Sequence, residues 1–272
     1  MQNASLQQHI RIAWKLGTRS HAIRGLLVFG ILLLAVAFLS GAFSLRQPLV
    51  VTLDIGISGI RLLTALLTLF WMQEAFMRDI ERRTITVAFG LPVARHNYVL
   101  GRFIGVMLLI SAVVLCWGLA LALADQFASW GYSSSSRPYL DWRYGLVMLG
   151  ILLDAWTIGA FVLVVTSVAE TPLLPFMVGA GFALAGRSIG PVLDYLAFSA
   201  SADPALKANF LRLIDALRWL LPDLSQLDWR ASVLYDTPLD ISRIATGLCL
   251  AAGYTVCFLT IAVIVYRKRE LN

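Results

Sequence analysis

The chain has 272 residues, 59% of them hydrophobic and only 14% charged, with a formal net charge of +6. A soluble domain carries about 25% charged residues, so this composition, with a mean hydropathy of +0.77, excludes an ordinary soluble protein. It also excludes nucleic-acid binding as the meaning of the positive charge, because no soluble basic domain is left to hold a duplex.

The chain begins with a polar segment in which Leu6, Ile10, Ala13, Trp14 and Gly17 recur at helical spacing opposite Gln7, Arg11, Lys15 and Thr18. That pattern predicts an interfacial helix lying along the bilayer, with Trp14 at headgroup level.

A spanning helix needs roughly 20 apolar residues, and six segments qualify: Gly25–Leu45, Leu53–Gln73, Leu100–Ala124, Trp142–Val168, Leu173–Gly190 and Ile241–Tyr266. Runs such as Gly25–Leu39 lack the two-residue alternation of a membrane barrel. The expected fold is therefore all-α, a polytopic membrane protein in one domain over residues 1–272. The first run has a polar lead of 24 residues and no small-residue cleavage site, so it reads as an uncleaved span rather than a signal peptide.

Between spans two and three lies a charged segment, Glu74–Arg102. Glu74 with Arg78, and Asp79 with Arg82 and Arg83, stand at i+3 and i+4 and support a surface helix. Met77, Ile80, Thr84, Val87 and Ala88 form a weaker apolar stripe. Gly90 suits the left-handed position after a helix, and Pro92 blocks continuation. A second short helix is expected to enter span three through Gly101.

Beyond span three, Asp125–Asp141 with its Ser133–Ser136 run reads as a loop. Glu170-Thr-Pro172 gives a very short turn between spans four and five, where Pro172 stops the fourth helix; a re-entrant hairpin is the alternative for span five. The segment 191–240 follows. Asp203-Pro204 supplies a helix start, and Leu206, Phe210, Leu213, Leu217 and Leu220 form an apolar face that ends at Pro222. That face is expected on the membrane surface, on a partner, or as a lid over the chain's own bundle.

Charge inside the membrane is costly. Asp154 falls in mid-span four, Arg61 in span two and Arg187 in span five, while Asp54 and Asp194 lie nearer the ends. These residues read either as a polar translocation path or intersubunit lock, or as a buried pair of Asp154 with Arg61 or Arg187 that holds the bundle. Cys116, Cys249 and Cys257 fall within spans and are expected as buried small apolar groups. His9, His21 and His96 are isolated, and no metal set is implied.

Basic residues in short loops set orientation. Arg11, Lys15, Arg19 and Arg24, then Arg78, Arg82, Arg83, Arg95 and Arg102, then Arg267, Lys268 and Arg269 share one side under a six-span topology. The opposite short loops hold only Arg46, Arg137 and Arg143. Both termini and the Glu74–Arg102 segment are thus expected in the cytoplasm, and 191–240 outside.

This arrangement resembles the type-2 ABC exporter permease family, over nearly the whole chain. The family's coupling segment is matched at Glu81, Arg82, Thr84, Gly90, Pro92, Arg95, Tyr98, Gly101 and Arg102. The segment Leu221-Pro-Asp-Leu-Ser-Gln-Leu-Asp-Trp229 looks like the outer motif of the subgroup that includes the nitrous-oxide-reductase maturation permease. Two departures stand out. Gly90-Leu91 precedes Pro92 where the family commonly has Ser and another residue, and Arg102 replaces its usual Lys, as an exposed cation tolerates.

The resemblance implies a bacterial-type inner-membrane permease working as a homodimer or heterodimer, with spans two and five lining the dimer axis. A separate ABC ATPase subunit would dock on Glu74, Arg78, Glu81, Arg82, Arg83, Gly90, Pro92 and Arg95. No Gly-x-x-x-x-Gly-Lys-Ser/Thr sequence occurs, so ATP hydrolysis and its cofactor are expected on that partner. Two other classes compete. An intramembrane enzyme would need a nucleophile with its base, paired aspartates or a His/Glu metal motif, and no His falls in a span. A structural or receptor-like membrane subunit needs none of these. Lipid, drug, peptide and small sulfur-containing cargo all fit the composition.

Overall fold

The computed structural model describes Trp14 and residues 21–44, 47–81, 95–127, 140–171, 173–198 and 222–268. These form α1 (His21–Ala42), α2 (Pro48–Glu81), α3 (Arg95–Phe127), α4 (Trp142–Val168), α5 (Leu173–Phe198), a 3-10 turn (Leu224–Leu227), α6 (Arg230–Leu234) and α7 (Ile241–Lys268). No strand occurs among the described residues. Six of the helices are long and apolar enough to cross a membrane. Hydrocarbon offers the backbone no partner, so an apolar run must satisfy its own N–H and C=O groups, and the helix does so within one segment. The chain is an all-α polytopic protein.

Several boundaries differ from those expected. Helix α2 has 34 residues, about 50 Å at 1.5 Å per residue, against a hydrocarbon core of about 30 Å. The turns carrying Glu74 to Glu81 therefore continue span two and are not the start of a separate surface helix. Helix α3 likewise starts at Arg95 and runs unbroken for 33 residues, so the short entry helix is part of span three. Helix α5 continues through Pro191 to Phe198, which moves the start of the connecting segment past 191. With 26 residues in one unbroken helix it extends about 39 Å, long enough to cross. Helix α4 keeps its expected ends. Asp141 accepts from the Trp142 N–H at 2.8 Å, and Ala169 leaves the helix in extended geometry ahead of Pro172.

Helices α2 and α4 form the centre. Helix α2 packs on α1, α3, α4 and α5, and α4 packs on α2, α3, α5 and α7. Leu53, Ile57, Ile60, Leu63, Leu67 and Phe76 of α2 are sealed among Phe103, Met107, Ile158 and Val162. Phe161 stacks on Phe182 with ring centroids 3.9 Å apart, and Phe258 meets both edge-on, joining α4, α5 and α7. Thr64 and Thr68 turn their hydroxyls back onto the carbonyls of Ile60 and Thr64, so these buried polar groups need no distant partner. Helix α1 is peripheral and presents Val28, Phe29, Ile31, Leu32 and Val36 outward. Cys116, Cys249 and Cys257 are exposed on helix surfaces, which corrects the expectation that they are buried. Outward and inward faces are equally apolar in a bilayer, so residue type does not separate them.

The bundle has two ends. One gathers the end of α2, the start of α3 and the end of α7, where Arg267 meets His96 at 3.5 Å and Tyr266 faces Phe76. The other gathers the starts of α2, α4 and α7 and is closed by the segment 222–234.

Candidate functional site

The closing segment is a cap that enters the bundle. Asp223 starts it by accepting from the Ser225 N–H at 3.1 Å, the Ser225 hydroxyl at 2.6 Å and the Gln226 amide at 3.1 Å. The tight turn that results pushes Leu224, Leu227 and Trp229 inward, and all three are buried. Small residues on three helices make room. A Cβ at Gly150 of α4 would lie 2.3 Å from the Leu227 carbonyl oxygen, and one at Gly190 of α5 would lie 1.9 Å from the Ser225 hydroxyl. Gly247 of α7 faces the Gln226 carbonyl and the Trp229 ring. Gly150 stands about 12 Å along α4 from its start. Irregular backbone at such depth is tolerated where it is buried in protein, and that is its situation here.

Beneath the cap lies a network of three arginines and three aspartates. Asp154 is 1% exposed, and its Oδ2 accepts from Arg61 Nε at 3.3 Å, Arg187 Nε at 3.1 Å and Arg187 Nη2 at 2.5 Å. Arg61 also reaches Asp228 Oδ2 at 2.6 Å and donates to the Leu224 carbonyl at 3.0 Å. Arg230 bonds Asp228 at 3.1 Å, Asp54 at 3.4 Å and the Ser58 hydroxyl at 2.5 Å. The fork of each guanidinium suits it to several acceptors at once, which a point-like ammonium does not match. Formal charges cancel within the set. Asp154 Oδ1 is buried and has no hydrogen-bond partner among the described residues.

Arg61 and Asp154 each stand about 20 Å from the starts of α2 and α4, in the middle of the spans. The network therefore ties α2, α4 and α5 to the cap through its deepest turn. At the rim, Arg143 at the start of α4 bonds Asp236 and donates to the Ser232 carbonyl at 3.3 Å. The cap is thus held by charge at both its depth and its edge.

The intramembrane residues singled out from sequence, Arg61, Asp154 and Arg187, come together, and Asp154 takes both arginines rather than one. Sequence reasoning missed Asp228 and Arg230. Their signal was a charged Asp-Trp-Arg triplet directly beside the apolar Leu224 and Leu227, a poor fit to a solvated connector. Asp54 is part-exposed but paired with Arg230. The expected outer motif at 221–229 is mostly this buried cap; its preceding helix, 204–221, lies outside the described residues.

The coupling set is less fully placed. Glu74 is half-buried on α2. Arg78 and Glu81 lie on the helical backbone of α2, and Arg95 opens α3. Arg82, Arg83, Gly90 and Pro92 lie outside the described residues, as does the interfacial helix apart from Trp14, which is helical and exposed. Arg102, expected as an exposed cation, is 6% exposed; it lies over the Tyr98 ring at 5.5 Å and donates to its hydroxyl at 3.0 Å. Among the described residues, no group of His, Cys, Asp and Glu is arranged to hold a metal ion. No protein-family model matches the chain, and no curated protein matches it.

Proposed function

We propose that the chain is the membrane-spanning permease subunit of an ABC exporter. One observation carries this reading. Helices α2 and α3, of 34 and 33 residues, outrun the bilayer core and bracket the basic stretch 82–94 at one end of the bundle. The last turns of α2 lie beyond its apolar span, which ends at Phe76, and continue the helix that carries Arg61; they make a lever through which a force applied at 82–94 is passed to Arg61 and the cap. The partner is an ABC ATPase subunit that docks on Glu74, Arg78, Glu81, Arg82, Arg83, Gly90, Pro92 and Arg95, and hydrolyses the ATP. The end carrying 82–94 and both termini face the cytoplasm of a bacterial-type cell, and the capped end faces outward.

In this reading the network is the closed state of the outer mouth. Opening requires Arg61 to leave Asp228 and the Leu224 carbonyl, so the ATPase must bind the closed and open states with different affinity. A second copy pairs along the apolar stripe of Ile55, Leu62 and Phe70 on α2 and Leu174, Met177 and Leu184 on α5. These side chains are exposed, and the Phe70 and Phe176 rings meet at 4.8 Å to make the stripe continuous.

A non-transporting structural subunit is the second reading, favoured by the charges of the network cancelling among themselves under a filled mouth. Purification from the native membrane separates the two. A permease brings down an ATPase whose turnover it changes; a structural subunit brings down none, and that outcome would remove the transport reading.

A further inference from the structure

A cavity of about 540 Å³ lies beside the cap, walled by Asp223, Ser225, Gln226, Arg230, Arg243 and Thr246. That volume is in the range of small-molecule sites. Its charges are unequal in their commitments. Asp228 and Arg230 also face it, but they are bonded to each other and to Arg61 and Asp54. Among the described residues, the Asp223 carboxylate accepts only from neutral groups, Ser225 and Gln226. The Arg243 guanidinium makes no hydrogen bond or ion pair among the described residues; only its backbone carbonyl is engaged, by the Thr246 hydroxyl. One negative and one positive group, neither in an ion pair among the described residues, therefore line the same space.

The position of the cavity narrows the ligand. Gly190 and Pro191 wall it near the end of the α5 span, and Arg243 and Thr246 wall it from the first turns of α7. Both are the ends of membrane-crossing helices, the level of lipid headgroups. Val192, next in sequence to the lining residue Pro191, and Ile241, two residues before Arg243, are exposed and offer apolar surface to acyl chains. Trp229 is the single aromatic in the wall, 6% exposed with its ring set between Gly150 and Gly247, and one ring edge makes no aromatic cage for a quaternary ammonium. A primary ammonium, with N–H groups to give, suits a carboxylate.

We propose that this cavity binds the phosphoethanolamine headgroup of a lipid, its ammonium on Asp223 and its phosphate on Arg243. A lipid seated there touches both the cap and Arg230, and so bears on the charge network whether the chain exports a cargo or is a structural subunit.

Native mass spectrometry of the full chain in detergent tests this, with phosphatidylethanolamine, phosphatidylcholine and phosphatidylglycerol offered at equal concentration. The wild type should retain phosphatidylethanolamine over the other two. Arg243→Gln should weaken that binding about tenfold, the scale of one lost charge-assisted hydrogen bond. Asp223→Asn keeps a capping side chain and should shift preference toward anionic phosphatidylglycerol. Arg243 is exposed, so its substitution leaves folding intact, and an unchanged melting temperature verifies this. Equal retention of phosphatidylcholine, or phosphatidylethanolamine binding indifferent to Arg243→Gln, would overturn the proposal. Soluble glycerophosphoethanolamine occupying the cavity as tightly as the lipid would overturn its lipid origin and assign the cavity to a free zwitterion.

Discussion

Asp154, midway along α4, meets Arg187 of α5 at 2.5 Å, and the same carboxylate oxygen also receives Arg61. One aspartate thus fixes α2, α4 and α5 relative to one another, at a depth where an unpaired charge is costly.

Replacing Asp154 with Leu should therefore be severe. It leaves buried guanidinium groups without their carboxylate, and breaking a buried pair from one side costs about 3–5 kcal/mol. The Asp154→Leu, Arg187→Leu double variant restores neutrality, because Arg61 and Arg230 keep Asp228 and Asp54. Thermal unfolding in detergent should show the double variant recovering a large part of the loss. A double variant no more stable than the single would mean that the pair is not coupled.

Arg61→Lys keeps the charge and loses the fork. A lysine reaches one acceptor where Arg61 serves Asp154, Asp228 and the Leu224 carbonyl. The protein should fold, and amide exchange over 224–234 should quicken by tenfold or more while that of α4 is little changed. Uniform exchange across the chain would show that Arg61 does not hold the cap.

Gly150→Val should expel the cap. Its Cβ would fall 2.3 Å from a backbone oxygen of Leu227, which cannot swing aside as a side chain can; overpacking of this kind costs about 1–3 kcal/mol. Ser232 is 2% exposed, so Ser232→Cys, in a background without the three native thiols, should react slowly with maleimide. Adding Gly150→Val should make it react quickly. Gly145→Val, where a Cβ meets nothing within 4 Å, is the control and should leave the rate unchanged.

The transport reading has its own test. Arg82→Glu with Arg83→Glu should abolish ATPase copurification while the spans insert normally. Like charges placed across an interface cost several kcal/mol, and each 1.4 kcal/mol is a tenfold loss of affinity. Normal copurification with normal stimulated hydrolysis would reduce 82–94 to a basic loop.

Topology can be checked directly. With native thiols removed, Ser134→Cys should label from outside the cell and His96→Cys only from inside. Labelling of both from one side would exclude the six-span orientation and the docking surface with it.

The sequence alone determined the number and kind of the spans. Apolar windows of bilayer length without two-residue alternation read as helices, and the expected span Trp142–Val168 matches α4 to the residue. It also singled out Arg61, Asp154 and Arg187, since a charge within such a window stands out by type. Where polar and apolar character faded gradually, as from Gln73 to Glu81 or across Pro191, helix ends were misplaced, because the hydrogen-bonded ladder continues past the hydrocarbon edge.

Tertiary structure alone decided what those charges do. That Asp154 takes two arginines, and that Asp228 and Arg230 come from far along the chain to complete the set, depends on where 222–234 inserts. Insertion depends in turn on Gly150, Gly190 and Gly247 lining up on separate helices. Which faces meet lipid was likewise settled only by packing, as the exposed cysteines and the buried Arg102 show. In hydrocarbon the solvent is as apolar as the core, so a side chain's polarity does not report whether it faces lipid or a neighbouring helix; only shape, close approach and charge pairing distinguish the two.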